Sequence, residues 1–288
     1  MKDHLTLVNS ISDIQVYIQQ VEKRMRSESD GYHPELRVAL AHLLSSGGKR
    51  IRPTLALLTG RMLGADPTDM VTIGASIELL HTATLVHDDL IDGSLLRRGN
   101  ATLNAQWSAG ATVLAGDFLF ARAAKLAAET DSVAIMRLFA EALTAIVHGE
   151  ITQMFSIGLA SRDDYYKRIY SKTASLFEVA AAAAATLSPV NVEVVMAMRR
   201  FGKKIGMAFQ IVDDILDFTG EQATIGKPAG SDLRQGLITL PALYYLEVNP
   251  DDPDIISIKS GYQSEDERID RLVRSIRESG AIQQAMEE

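Results

Sequence analysis

Cysteine is absent from the 288 residues. That excludes disulfides, thiolate nucleophiles and Cys-based zinc sites, and it fits a reducing compartment, the cytoplasm. No apolar run approaches the roughly 18–20 residues that a membrane-spanning helix needs. The longest run of small residues, Val179 to Leu187, contains the alanines Ala180 to Ala185 and predicts a helix packed closely against a neighbour rather than a span. Met1-Lys2-Asp3-His4 lacks the charged-then-apolar pattern of a secretory signal. Basic residues are in the minority, 29 Lys and Arg against 37 Asp and Glu for a net charge of -8. This argues against a general nucleic-acid binder but leaves room for polyanions wherever basic residues cluster or a metal bridges the charges. Alternating strand patterns are essentially missing, and so is any Ser-His or Cys-His arrangement for nucleophilic catalysis.

What remains is helical. Hydrophobic residues make up 47% of the chain, enough for a sizeable core, and their spacing follows a helical period almost throughout. Leu36, Val38, Ala39, Leu43 and Leu44 share a helix face that Gly47-Gly48 ends. Further helices are predicted over residues 51–63, 69–92, 110–128, 131–157, 163–187, 191–219, 237–247 and 266–279, with polar loops at 93–100 and 220–236. No Ser/Gly linker interrupts the pattern, so the simplest reading is one all-α domain over 1–288. The chain stops at Met286-Glu287-Glu288 inside a helical pattern, which predicts that the C-terminal helices are incomplete.

Two acidic clusters stand out. In Asp88-Asp89-Leu90-Ile91-Asp92 the outer carboxylates are four apart and share one helix face about 6 Å apart along the axis; His81 and Thr84 lie on that face too. Asp213-Asp214-Ile215-Leu216-Asp217 repeats the spacing, with Gln210 three residues before it. Both sit among apolar residues, where carboxylates repel one another and desolvation worsens the repulsion. A hard divalent cation relieves this, and Mg²⁺ commonly bridges a few carboxylates to a substrate phosphate. One such cluster alone is as readily an exposed acidic helix end; two on apolar helices are hard to ascribe to chance.

Phosphate donors lie close by in sequence. Gly47-Gly48-Lys49-Arg50-Ile51-Arg52-Pro53 places Lys49 and Arg52 at a helix start, which already favours anions. Arg97-Arg98-Gly99 follows the first acidic cluster, Lys172-Thr173 offers a cation and a hydroxyl, and Gly226-Lys227-Pro228 follows the second cluster. Each alone reads more readily as solvated surface charge; their placement beside the acidic clusters weakens that reading.

Taken together with Gly149-Glu150-Ile151-Thr152-Gln153 and Asp232-Leu233 through Thr239-Leu240-Pro241, these segments resemble the trans-isoprenyl diphosphate synthase (polyprenyl synthetase) family over about residues 35–245. The resemblance implies a bundle of long antiparallel helices around a central apolar cavity, the isoprenoid synthase fold. It also implies a Mg²⁺-dependent prenyltransferase with two to three ions per active site, condensing isopentenyl diphosphate with an allylic diphosphate. Carried over, it assigns Asp88 and Asp92, supported by Asp89, to Mg²⁺ on the allylic diphosphate, and Asp213 with Asp214 and Asp217 to a further Mg²⁺. Arg97, Lys172, Thr173, Gln210 and Lys227 would contact the allylic diphosphate; Lys49, Arg52, His81 and Arg98 would bind isopentenyl diphosphate. A homodimer is implied, with a small partner subunit as the other arrangement.

The family resemblance also bears on product length. Short-chain members often place an aromatic residue four or five positions before the first Asp; here Thr84 and Ala83 stand there, with Leu80 further back. This implies a long tunnel and a product beyond twenty carbons, unless a residue on another helix, such as Phe118 or Phe120, closes the tunnel sooner and yields a short-chain product. Leu237 departs from the family, where a lysine often follows the glycine at 236. The rival readings are a terpene cyclase, a squalene-synthase-like enzyme, a non-catalytic regulatory subunit, and the catalytic half of a two-component synthase. The second Asp-Asp-x-x-Asp and the Gly47–Pro53 segment oppose the first two, and the intact acidic motifs oppose the third.

Overall fold

The computed structural model describes residues 2–27, 31–45, 47–97, 99–155, 161–220, 229–259 and 266–288. Helices carry almost all of it. They are α1 (Lys2–Arg26), α2 (Pro34–Ser45), α3 (Ile51–Leu63), α4 (Pro67–Ile91), α5 (Leu103–Gln106), α6 (Ala109–Ala128), α7 (Val133–Phe155), α8 (Arg162–Ile169), α9 (Ser175–Thr186), α10 (Val192–Thr219), α11 (Ser231–Arg234), α12 (Leu240–Val248), α13 (Pro253–Lys259), α14 (Asp266–Glu278) and α15 (Ala281–Glu287). No described helix is long and apolar enough to cross a membrane.

Short helices at Leu103–Gln106, Ser231–Arg234 and Pro253–Lys259 are not expected from the sequence reading, and three further local results differ from it. The helix α1 has no counterpart in the expectation, yet it buries Ile14, Val21 and Met25. The loop expected at 93–100 holds a two-residue hairpin, β1 (Leu96–Arg97) paired antiparallel with β2 (Asn100–Ala101). The single helix expected over 163–187 is instead α8, a π-helical turn over Tyr170–Ala174, and α9. A π-turn adds one residue per hydrogen-bonded ring, which hydrophobic periodicity does not register, and such turns recur at functional sites.

The chain packs as two compact units. The first comprises residues 1–142 and 176–202. Asp66 caps α4 by accepting from Thr68 N over 2.7 Å, with Pro67 opening the helix. Two close approaches fix the helix against its neighbours. A Cβ on Gly74 would lie 3.2 Å from Val21 of α1, and one on Gly116 of α6 would lie 2.1 Å from the His87 ring. The alanine run Ala180–Ala185 is wholly buried, as its composition predicts. A Cβ on Gly202 would fall 2.4 Å from Phe177 O, so α9 and α10 meet almost backbone to backbone.

The second unit comprises residues 143–175 and 203–288. Its core gathers Tyr165, Ile169, Phe218, Leu233, Leu240, Leu243, Ile269 and Ile276. The α14 helix contributes Ile269, Leu272, Val273 and Ile276, a three-to-four spacing that puts them on one stripe.

Candidate active site

In the first unit the acidic motif ends α4. Asp88 is half-buried, Asp89 is buried and Asp92 is exposed. Asp92 closes the helix, its N–H donating to Asp88 O over 2.8 Å. Arg97 of β1 donates from Nε to Asp89 Oδ1 over 2.8 Å, and Asn104 Nδ2 reaches Asp89 O at 3.3 Å. Asp89 is thereby tied into the protein, while Asp92 stands in solvent. Thr84 donates to His81 O over 2.8 Å. Leu80 and Ala83 are completely buried and Thr84 nearly so, so α4 directs these three into the unit's interior.

At the start of α3, Arg50 adopts the left-handed region at φ 47°. That conformation is uncommon for a residue with a Cβ. Here it turns the guanidinium inward to Glu78 Oε1 at 2.8 Å and Glu22 Oε1 at 3.1 Å. Lys49 is left exposed. Arg52 stacks on Phe177, 4.9 Å from the ring centroid, and its buried Nε has no hydrogen-bond partner among the described residues. Desolvation lowers its pKa to about 10, opposed by the charge of Glu78. Arg52 is thus a desolvated cation with donor capacity to spare, suited to an anion.

In the second unit the three carboxylates of α10 differ sharply. Asp213 is exposed and Asp214 is 3% exposed. Asp214 accepts from Gln210 Nε2 over 2.7 Å and from Tyr165 Oη over 2.8 Å. Thr173 donates to Gln210 Oε1 over 2.6 Å. Asp217 accepts from the backbone N–H groups of Ser231 at 3.1 Å and Asp232 at 3.2 Å. Lys172 is exposed, with Nζ 3.1 Å from Glu150. Desolvation raises the pKa of Asp214 to about 6. Desolvation, with the charges of Asp217, Asp214 and Asp213, raises Asp232 to about 7.

Sequence reasoning placed Asp232 in a motif without giving it a role, and it missed Tyr165 and the Arg50–Glu78 pair. Leu237, where a lysine was expected, is half-buried and donates its N–H to Asp232 O over 2.8 Å. Arg98 and Lys227 lie outside the described residues.

Among the described residues no three His, Asp or Glu side chains converge to hold a metal by themselves. The exposed carboxylates of Asp92 and Asp213 fit Mg²⁺, which takes hard oxygen ligands, keeps several waters and is bound through one or two carboxylates plus substrate phosphates.

The sequence profile of the polyprenyl synthetase family matches residues 33–276. Octaprenyl diphosphate synthase of Haemophilus influenzae is 38% identical over 229 residues, 79% of this chain and 70% of that protein. Heptaprenyl diphosphate synthase component 2 of Geobacillus stearothermophilus is 41% identical over 239 residues, 81% of this chain and 72% of that one. A polyprenyl synthase from Caulobacter crescentus, solved with calcium and isoprenyl diphosphate, superposes with a TM-score of 0.86 at 34% identity, covering 98% of this chain and 86% of that one.

The chain belongs to the polyprenyl synthetase family. It is accordingly a prenyltransferase with the all-α isoprenoid synthase fold, of a family that uses isoprenyl diphosphates and divalent metal.

Proposed function

We propose that the chain condenses isopentenyl diphosphate with an allylic diphosphate, head to tail and in trans, to give a polyprenyl diphosphate longer than twenty carbons. The observation that carries this reading is the state of the two acidic motifs. Each presents an exposed carboxylate, Asp92 or Asp213, beside a buried one held by protein donors, Asp89 by Arg97 and Asp214 by Gln210 and Tyr165. The relatives named as octaprenyl and heptaprenyl synthases support the long product.

Asp88 and Asp92 would hold Mg²⁺ against the allylic diphosphate, and Asp213, with Asp214 and Asp217 near it, would hold a further ion. Asp214, buried and tied by side-chain donors on both oxygens, also orients its neighbours. Bound Mg²⁺ supplies neutralising charge for the departing diphosphate. Arg97, Lys172, Thr173, Gln210 and Lys227 contact that diphosphate, and cations placed where negative charge develops lower the barrier to C–O cleavage. Lys49, Arg52, His81 and Arg98 bind isopentenyl diphosphate, whose double bond attacks the allylic carbocation. A proton is then lost to the diphosphate. Buried Leu80, Ala83 and Thr84 line the path of the tail, and apolar walls keep water from quenching the cation. We also assign the enzyme to the cytoplasm and to a homodimer; the relative named component 2 supports a small partner subunit as the second arrangement.

The test is elongation. Purified protein is incubated with Mg²⁺, labelled isopentenyl diphosphate and, separately, dimethylallyl, geranyl, farnesyl or geranylgeranyl diphosphate, with Asp88→Ala as control. A product ladder passing twenty carbons and lost in the control is expected. A ladder stopping at fifteen or twenty carbons overturns the product length. Failure with every primer, sustained after size-exclusion analysis shows a dimer, points to a missing partner.

A further inference from the structure

Thr173, Gln210, Asp214 and Tyr165 form one continuous hydrogen-bonded row in the second unit, with links of 2.6, 2.7 and 2.8 Å. Its direction is dictated by chemistry. A carboxylate only accepts, so Gln210 must point Nε2, not Oε1, at Asp214. Gln210 Oε1 then faces Thr173, which donates to it. One hydrogen of Gln210 Nε2 is spent on Asp214, and the second remains for an anion. Were the amide reversed, its carbonyl oxygen would take that place and repel phosphate.

The anchor of the row is Tyr165, 1% exposed, whose hydroxyl takes the other oxygen of Asp214. Tyr166 packs edge-on to its ring at 5.4 Å, and the Arg168 guanidinium lies 5.6 Å from the ring centroid. Thr173 itself lies in the π-turn Tyr170–Ala174, which directly follows the helix α8 that carries Tyr165. Ser171 of that turn sits so near α7 that a Cβ on Gly149 would fall 2.3 Å from its own Cβ. The turn and the row therefore hold Thr173 from two sides, through packing and through hydrogen bonds.

We infer that Tyr165 is a positioning residue for the allylic-diphosphate side of the reaction: through Asp214 it fixes the orientation of the Gln210 amide and the place of the Thr173 hydroxyl. The inference rests on the proposed reading that Gln210 and Thr173 touch the diphosphate. Tyr165 itself touches no substrate. Its loss should act on one substrate and spare the other, which a merely structural role would not do.

The experiment compares Tyr165→Phe, Asp214→Asn and Gln210→Leu with the parent enzyme. Inorganic diphosphate binding is measured by calorimetry in Mg²⁺, KM is measured separately for the allylic primer and for isopentenyl diphosphate, and folding is checked by circular dichroism. Tyr165→Phe keeps the ring and its packing. It is expected to weaken diphosphate binding and raise the allylic KM by about tenfold, the effect of one buried hydrogen bond to a charged group, with the isopentenyl diphosphate KM unchanged. Asp214→Asn lets the amide reverse and should be at least as severe. If Gln210→Leu weakens diphosphate binding while Tyr165→Phe and Asp214→Asn bind as the parent does, the positioning role is wrong and the underlying site stands. If Gln210→Leu also binds as the parent does, the site reading itself fails. Equal rises in both KM values would reduce Tyr165 to a packing residue and overturn the inference.

Discussion

Arg50 Nη1 donates to Glu78 Oε1 over 2.8 Å, and the two side chains are 10% and 7% exposed. A basic residue in the middle of the proposed phosphate-binding segment Gly47–Pro53 is thus turned away from solvent and paired with a carboxylate from the middle of α4. Glu78 also faces Arg52, whose charge it helps to retain.

From that pairing follows a stability prediction. Removing one partner of a buried ion pair leaves the other uncompensated, so Glu78→Gln should cost about 3 kcal/mol, partly relieved by Glu22. Chemical denaturation measures it. The double variant Glu78→Gln with Arg50→Met should lose clearly less than the sum of the two single losses; additive losses would mean that the pair is not coupled.

The pH dependence runs opposite to that of an ordinary carboxylate protein. The carboxyls of Asp214 and Asp232 are raised to about 6 and about 7 in the folded chain. Between roughly pH 4 and pH 7 the folded state therefore binds more protons than the unfolded state, and stability falls as pH rises. Without metal, Tm should drop from about pH 5 to about pH 8, and Asp232→Asn should flatten the slope. Mg²⁺ with inorganic diphosphate, which favours the ionised carboxylates, should raise Tm most at the higher pH. A metal-free Tm that climbs across this range would contradict the assignment.

Product length offers a third test. Ala83 is completely buried on α4. Ala83→Phe should shorten the product ladder, measured by chromatography of the dephosphorylated products, while overpacking costs about 1–3 kcal/mol. An unchanged ladder would move the tunnel floor to another helix. Phe118, paired with Tyr32, and Phe120, beside His87, are the alternatives named by the sequence.

Gly149→Ala would place a Cβ 2.3 Å from Ser171 Cβ. The expected outcome is a loss of about 1–3 kcal/mol and a fall in activity, because the turn carrying Lys172 and Thr173 must shift. Gly110→Ala in α6, where nothing lies within 4 Å of the added carbon, should be neutral or slightly stabilising by about 0.5 kcal/mol.

Helix placement was largely legible because a buried helix stripe leaves a period in the sequence, and α3, α4, α6, α7 and α10 fall within a few residues of their expected bounds. The π-turn at Tyr170–Ala174 was not, since one extra residue in a helix alters no composition and barely disturbs the period. Helix α1 was missed although it buries Val21 and Met25 fully. Its apolar residues Leu7, Ile11, Ile14, Ile18, Val21 and Met25 keep an unbroken three-to-four spacing, so its period was there to be read, and it packs against α3 and α4.

The sequence by itself determined the chemistry. Two Asp-Asp-x-x-Asp clusters on apolar helices point to a cation, and short basic segments with glycine point to an anion, because charge types and spacings survive in one dimension. Only the tertiary structure decided what each charged residue does. Asp89 and Asp214 are held by protein donors while Asp92 and Asp213 meet solvent, and Arg50 is neutralised within the core while Arg52 Nε has no partner among the described residues. Burial and hydrogen-bond partners come from segments far apart in the chain, and no local pattern carries them.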